Sequence, residues 1–265
     1  MMHKPMADTT DMQTESPERH KAGFLHLLSR LRSYFIWDPL IWLYTIVLGS
    51  LSLLSSFFDR DGNIQHGFAR LWAKMIVGTI GVPVKIEGLE KIDTSKAHLY
   101  AVNHLSALDI PVLYANLPFQ FRILAKKELF RYPFLGWHLS RSGQIPVERE
   151  NARSSLRSLN RAVQSLKNNM PIVVFPEGGR SRTGQLQEFL GGAFYVAIKA
   201  EAEVIPMALI GTFDMLPMNT FHIMPHPVRL IVGEPISTAG MNAREMDALS
   251  ATTRKAIEQL ASGVK

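Results

Sequence analysis

The stretch Asn103-His104-Leu105-Ser106-Ala107-Leu108-Asp109 sets a histidine and a carboxylate five residues apart, directly after the apolar run His98-Leu99-Tyr100-Ala101-Val102. The run reads as a buried strand. A histidine at a strand end, with a carboxylate close behind, can act as a general base toward a hydroxyl group. On a plain helix a spacing of five turns the two side chains roughly 140° apart, at about 100° per residue. His104 therefore belongs to a turn, and Asp109 to the start of the following helix. Pro111 supports that start, because proline is tolerated in a helix's first turn. A carboxylate there stays ionised. It can hold the imidazole in one tautomer and stabilise the cation formed on proton uptake. Ser106 reads as a cap or turn residue. By itself the pair is also compatible with an ordinary capped turn.

A second stretch, Phe175-Pro176-Glu177-Gly178-Gly179-Arg180-Ser181-Arg182, follows another apolar run, Pro171 to Phe175. Together the two resemble the glycerolipid acyltransferase family, typified by the 1-acyl-glycerol-3-phosphate acyltransferases. That family carries a His-four-residues-Asp motif and, downstream, Phe-Pro-Glu-Gly-Thr-Arg-Ser. The resemblance runs from about Leu71 to Pro235. It implies that His104 is the base and Asp109 its orienter, with the acceptor hydroxyl attacking an acyl thioester directly. Glycines 178 and 179 would let backbone N–H groups approach the acceptor's phosphate, and Arg180 would grip its oxygens with a planar fork. Glu177 matches the family glutamate and would brace the loop or bind the glycerol hydroxyl.

Further positions follow the same pattern. Gly143 to Arg149 is similar to the family's second block, making Arg149 a second phosphate ligand. Ala125-Lys126-Lys127-Glu128-Leu129 looks like its Ala-Lys-x-Glu-Leu segment, adding Lys126 to the phosphate-binding cations. Val204-Ile205-Pro206 looks like the fourth block, which forms an apolar wall for the acyl chain. Two departures stand out. Gly179 replaces the usual threonine, and Phe189-Leu190-Gly191-Gly192 replaces Phe-Lys-Lys-Gly, so a lyso-lipid with another head group stays open as acceptor. No metal or cofactor is implied. The acyl donor would be acyl-CoA or an acyl carrier protein.

The remaining chain must position these residues. Strand-like and helical segments alternate from Val82 onward: strands at 82–88, 98–102, 121–125, 171–175, 204–210 and 228–232, helices at 152–168, 193–200 and 243–261. Such alternation predicts an α/β fold with a mainly parallel sheet flanked by helices. Residues 81–265 form the expected catalytic domain and residues 1–21 a disordered polar tail. Residues 22–80 form a membrane-associated helical hairpin. Within it, Pro39 to Phe58 holds no charge, just enough for a span of about 20 residues, and Asp38-Pro39 is expected to break an earlier amphipathic helix. The charges flanking the run show no inside–outside bias. A hairpin dipping into one leaflet is preferred over a single span.

With 29 Lys and Arg against 23 Asp and Glu, the net charge is +6. The basic residues are scattered, with no aromatic–basic module, so the charge reads as attraction to anionic lipid and not to nucleic acid. The partners expected are thus the bilayer, a lysophospholipid and the acyl donor. The place expected is the cytoplasmic face of a bacterial inner membrane. The chain has no cysteine, which excludes disulfides and a thioester enzyme intermediate. No Gly-x-Ser-x-Gly elbow supports a hydrolase.

Overall fold

The computed structural model describes residues 27–59, 61–148 and 152–263. The expected tail at 1–21, the first residues of the hairpin region and Arg149 lie outside the described residues. Strands of Val, Ile, Leu and Ala build one seven-stranded sheet: β1 (Val84–Glu87), β2 (Leu99–Val102), β3 (Arg122–Lys126), β4 (Ile145–Val147), β5 (Ile172–Val174), β6 (Val204–Ile210) and β7 (Val228–Val232). The spatial order is β1-β7-β6-β2-β5-β3-β4. Every pair is parallel except β6–β7. β2 is central and buried on both faces, as strands covered by helices on both sides must be.

Among the described residues eight helices accompany the sheet: α1 (Leu27–Ser55), α2 (Asn63–Ile80), α3 (Asp109–Asn116), α4 (Leu135–Arg141), α5 (Ala152–Lys167), α6 (Gly192–Ala200), the single turn α7 (Thr212–Met215) and α8 (Met246–Ser262). Successive strand residues point to opposite faces, so the core divides in two. Tyr100, Val102, Val173, Ile205 and Met207 join Ala73, Ile76 and Ile80 of α2 and Val112 and Leu113 of α3. Leu99, Ala101, Ile172, Val174 and Val204 join Ala162, Val163 and Leu166 of α5, Phe194 and Ala197 of α6 and Leu249 and Ile257 of α8.

The expected break at Asp38-Pro39 does not occur. Residues 27–55 form one continuous helix, with a π-helical turn at Ser33–Trp37 directly before the proline. The Asp38 N–H bonds the Ser33 carbonyl, five residues back. That wider turn resets the hydrogen-bond register where proline brings no N–H, so the helix continues past it. Among the described residues α1 is the one helix long and apolar enough to cross a membrane. Trp42, Ile46, Leu54 and Phe58 on or just after it stand exposed.

The turn after α1 is held by Asp59, whose carboxylate accepts from the N–H groups of Asn63 (3.0 Å) and Gln65 (2.9 Å). The two helices then lie side by side, tied by Trp72 Nε1 donating to Thr45 Oγ1 at 2.9 Å. The hairpin is therefore present, but its second helix is also a wall of the sheet's core. Behind it His66 is buried between the rings of Tyr114 and Phe121, each 5.3 Å away between centroids. Burial, then the cations Arg70 and Arg122, push its pKa down from 6.5 to about 4. The unfolded chain therefore binds a proton between those values that the fold refuses. Stability contributed by neutral His66 is complete above pH 6.5 and lost as pH falls toward 4. His66→Phe should flatten that part of the pH profile of the urea midpoint, while the wild type loses a few kcal/mol across it.

Candidate active site

β2 lies where the chain's connections part to either side: β5, β3 and β4 on one flank, β6 and β7 on the other. A crevice at the C-terminal ends of the strands follows from that topology, and the site residues collect there. β2 stops because Asn103 leaves the ladder. Its side-chain amide takes over the pairing, donating to the Leu209 carbonyl (2.9 Å) and accepting from the Leu209 N–H (2.7 Å). The buried amide continues the β2–β6 contact while the backbone turns away, and that turn carries His104. Sequence reasoning missed this role, because nothing local marks an asparagine as a false strand residue.

The turn is organised around one carboxylate oxygen. Asp109 Oδ2 accepts from the N–H of Leu105 (2.7 Å), the N–H of Ser106 (2.9 Å) and His104 Nδ1–H (2.8 Å). Asp109 is fully buried in the first turn of α3, where the helix dipole favours its charge. Donation from Nδ1–H to this carboxylate fixes the tautomer that leaves Nε2 as the lone-pair nitrogen. The His104 side chain retains 18% of its accessible surface, and its ring stacks on Phe175, 4.0 Å between centroids and 22° between planes. Ser106 Oγ donates to the Leu216 carbonyl and caps Leu108 N–H, a turn role as expected.

The loop after β5 is bonded directly to this turn. Glu177 Oε1 accepts the backbone N–H of His104 at 2.6 Å, and the N–H of Ser181 donates to the His104 carbonyl at 2.7 Å. The backbone of residue 104 is thus held from both sides by the glycine–arginine loop. Glu177 Oε2 accepts the N–H of Gln187 at 2.9 Å and its side-chain amide at 3.3 Å. That amide also donates to the Gly179 carbonyl at 3.1 Å. Burial pushes the Glu177 carboxyl up, while the donated N–H groups of His104 and Gln187 pull it back. Glu177 therefore braces loop against turn. Gln187, unmarked in the sequence, completes the brace.

Gly178 adopts φ 73°, a left-handed conformation that favours glycine. Gly179 is exposed, and a side chain there would meet open space. The N–H groups of Gly179 and Arg180 donate to no acceptor among the described residues. Arg180 is half-buried and has no carboxylate partner among them. Lys126 ends β3 on the same sheet edge, exposed, 3.7 Å from Glu128. Its neighbour Lys127 is tied to Glu148 at 2.7 Å.

The fourth-block residues do not join the site. Val204 pairs with Leu99 at the opposite end of β2, and Val204, Ile205 and Pro206 are buried within the sheet. Val204 serves one core and Ile205 the other, because neighbours on a strand point to opposite faces. The acyl wall expected there is interior packing.

Fold and site define an open α/β protein with a carboxylate-held histidine beside a cationic glycine loop at its C-terminal sheet edge. Residues 83–210 match the family model described as Acyltransferase. The 1-acyl-sn-glycerol-3-phosphate acyltransferase of Helicobacter pylori is 34% identical over 183 residues, 69% of this chain and 76% of that protein. The chloroplastic 1-acyl-sn-glycerol-3-phosphate acyltransferase LPAT1 of Arabidopsis thaliana is 34% identical over 238 residues, 87% of this chain. The chain spans 64% of that relative's length. The crystal structure of the 1-acyl-sn-glycerophosphate (LPA) acyltransferase PlsC from Thermotoga maritima aligns with a TM-score of 0.69 and 26% identity, over 90% of this chain and 97% of that one. The chain belongs to the acyltransferase family.

Proposed function

We propose that this protein transfers a fatty acyl group from an acyl thioester to the free hydroxyl of lysophosphatidic acid, giving phosphatidic acid. The observation that carries the reading is the union of His104, held at 2.8 Å by Asp109, with the loop of Glu177 to Arg180 through the backbone of residue 104. A base and an anion seat locked together at the backbone of one residue suit a substrate with a hydroxyl near its phosphate. The names of the similar proteins from H. pylori and A. thaliana agree with that substrate.

The chemistry then runs as follows. His104 Nε2 takes the proton of the acceptor hydroxyl as its oxygen attacks the thioester carbonyl carbon. Asp109 stabilises the imidazolium. The tetrahedral oxyanion collapses, the carbon–sulfur bond breaks, and His104 returns the proton to the departing thiolate. No enzyme-bound acyl group forms. The Arg180 side chain and the N–H groups of Gly179 and Arg180 hold the phosphate. Residues 27–58 attach the protein to one face of the bilayer, on the cytoplasmic side, so the acceptor reaches the sheet edge without leaving the lipid.

Arg180→Ala should raise the acceptor's KM by one to two orders of magnitude, since a hydrogen bond to a charged group contributes about 1.5–3 kcal/mol. The donor's KM should stay constant. The reading as a whole is tested with purified protein, a panel of lyso-lipids of different head group, and both donor types, with products weighed by mass spectrometry. Phosphatidic acid is the expected product. Acylation of a lyso-aminolipid instead would favour the other acceptor that Gly179 and Leu190-Gly191-Gly192 leave room for.

A further inference from the structure

We propose that the exposed arginine face of α5 docks an acidic carrier protein that presents the acyl thioester to the site. The proposal rests on the acyl-transfer reading above and names its donor.

The sheet separates two surfaces of different chemistry. α1 and α2 belong to the core face of Tyr100 and Val102, and the exposed apolar side chains of α1 crowd that side. α5 packs on the opposite face through Ala162, Val163 and Leu166. A lipid surface engaged by α1 is therefore screened from α5 by the sheet, and α5 faces the aqueous phase.

Its outward side is cationic and uncompensated. Arg157 and Arg161 are exposed and one helical turn apart, about 6 Å along the axis, on one side of the helix. Neither has a carboxylate partner among the described residues. Lys167 ends the same helix, and no Asp or Glu occurs between Glu150 and Glu177. Solvated helix surfaces ordinarily alternate their charges, as Arg254 and Glu258 of α8 do at 2.9 Å. Leu156, beside Arg157, is 48% exposed. An uncompensated basic face with an exposed leucine on the adjoining side of the helix suits a folded acidic partner, since the charge steers encounter and the apolar residue is covered on docking.

The position also suits a donor. α5 follows β4, whose C-terminal end shares the sheet edge with His104. Three strand spacings of about 4.8 Å separate β4 from β2. A carrier seated on α5 would extend its thioester arm along that edge while the acceptor arrives from the α1 side. Both substrates could then meet at His104 without sharing an entrance.

The test uses the full chain in phospholipid nanodiscs, lysophosphatidic acid as acceptor, and palmitoyl-acyl carrier protein or palmitoyl-CoA as donor. The double variant Arg157→Glu, Arg161→Glu should raise KM for the carrier-bound donor on the order of tenfold or more, and shift palmitoyl-CoA by less than about twofold. Sedimentation with phosphatidylglycerol vesicles should be unchanged. Arg157→Lys, Arg161→Lys should keep most carrier affinity. Binding of fluorescent acyl carrier protein, followed by anisotropy, should weaken in parallel with the charge reversal. An equal rise for both donors would assign the face to coenzyme A phosphates, and lost sedimentation would assign it to lipid. Either result, or an unchanged carrier KM, overturns the proposal. So does a wild type that neither uses nor binds the carrier. A wild type that binds the carrier through these arginines yet acylates no lyso-lipid would remove the acyltransferase reading and leave the docking surface standing.

Discussion

His104→Ala is expected to lower kcat/KM for acyl transfer by about 10²–10⁴-fold, the range a positioned general base contributes. The loss should appear in kcat. The proposed seat for the acceptor's anionic end is the loop of residues 177–180, and that loop contacts residue 104 through its backbone N–H and carbonyl. Those two hydrogen bonds survive the substitution, so the turn keeps its shape. Asp109 Oδ2 also keeps its two backbone donors, Leu105 and Ser106. The space left beside Phe175 is the main structural cost, and His104→Gln serves as a volume-matched control. Single-turnover assays with equal amounts of folded wild type and variant measure the effect. Wild-type turnover in the variant would remove His104 as the base.

Asp109→Asn should cost about 10²-fold or more in kcat, by a different route. The oxygen at the Oδ2 position receives two backbone N–H groups as well as the imidazole N–H. An amide nitrogen placed there would face three donors, so the asparagine must keep its oxygen in that place. The turn and the histidine tautomer therefore persist. What disappears is the negative charge that, in the proposed mechanism, stabilises the imidazolium as the hydroxyl proton arrives. The new NH₂ group occupies the Oδ1 position, which has no hydrogen-bond partner among the described residues. An unsatisfied buried donor costs about 1–3 kcal/mol, so a modest drop in melting temperature should accompany the slower turnover. The acceptor's KM should change little. A variant with unaltered kcat would show that the carboxylate serves only to shape the turn.

The remaining sequence expectations divide along physical lines. Apolar or alternating runs located six of the seven described strands within about two residues, but not β4, whose three residues, Ile145 to Val147, are too few to show a period. The helix beginning at Asp109 was legible from Pro111 and the carboxylate. Pro39 misled, because a proline's lost N–H can be absorbed by a π-turn whose formation depends on what the helix packs against. Ser33, at the start of that turn, is buried and accepts the N–H of Ile223 at 2.9 Å, a contact from 190 residues away. Val204 to Pro206 misled because a short motif does not state which end of a strand it occupies.

By itself the sequence placed His104 in the turn after an apolar strand and Asp109 at the start of the following helix, where Pro111 fits the first turn; the 2.8 Å bond between the two side chains came from the fold. The sequence also determined that a glycine-rich, arginine-bearing turn follows an apolar strand at residue 175. Only the tertiary structure decided that these two turns touch. β2 and β5 lie side by side although some 70 residues separate them, and such neighbours are set by the packing of helices on both faces of the sheet, which no local spacing records. The clamp of Asn103 on Leu209 and the brace of Gln187 on Glu177 belong to the same category. The first joins groups 106 residues apart that the sheet sets side by side, and the second closes a ten-residue loop whose path no local spacing records.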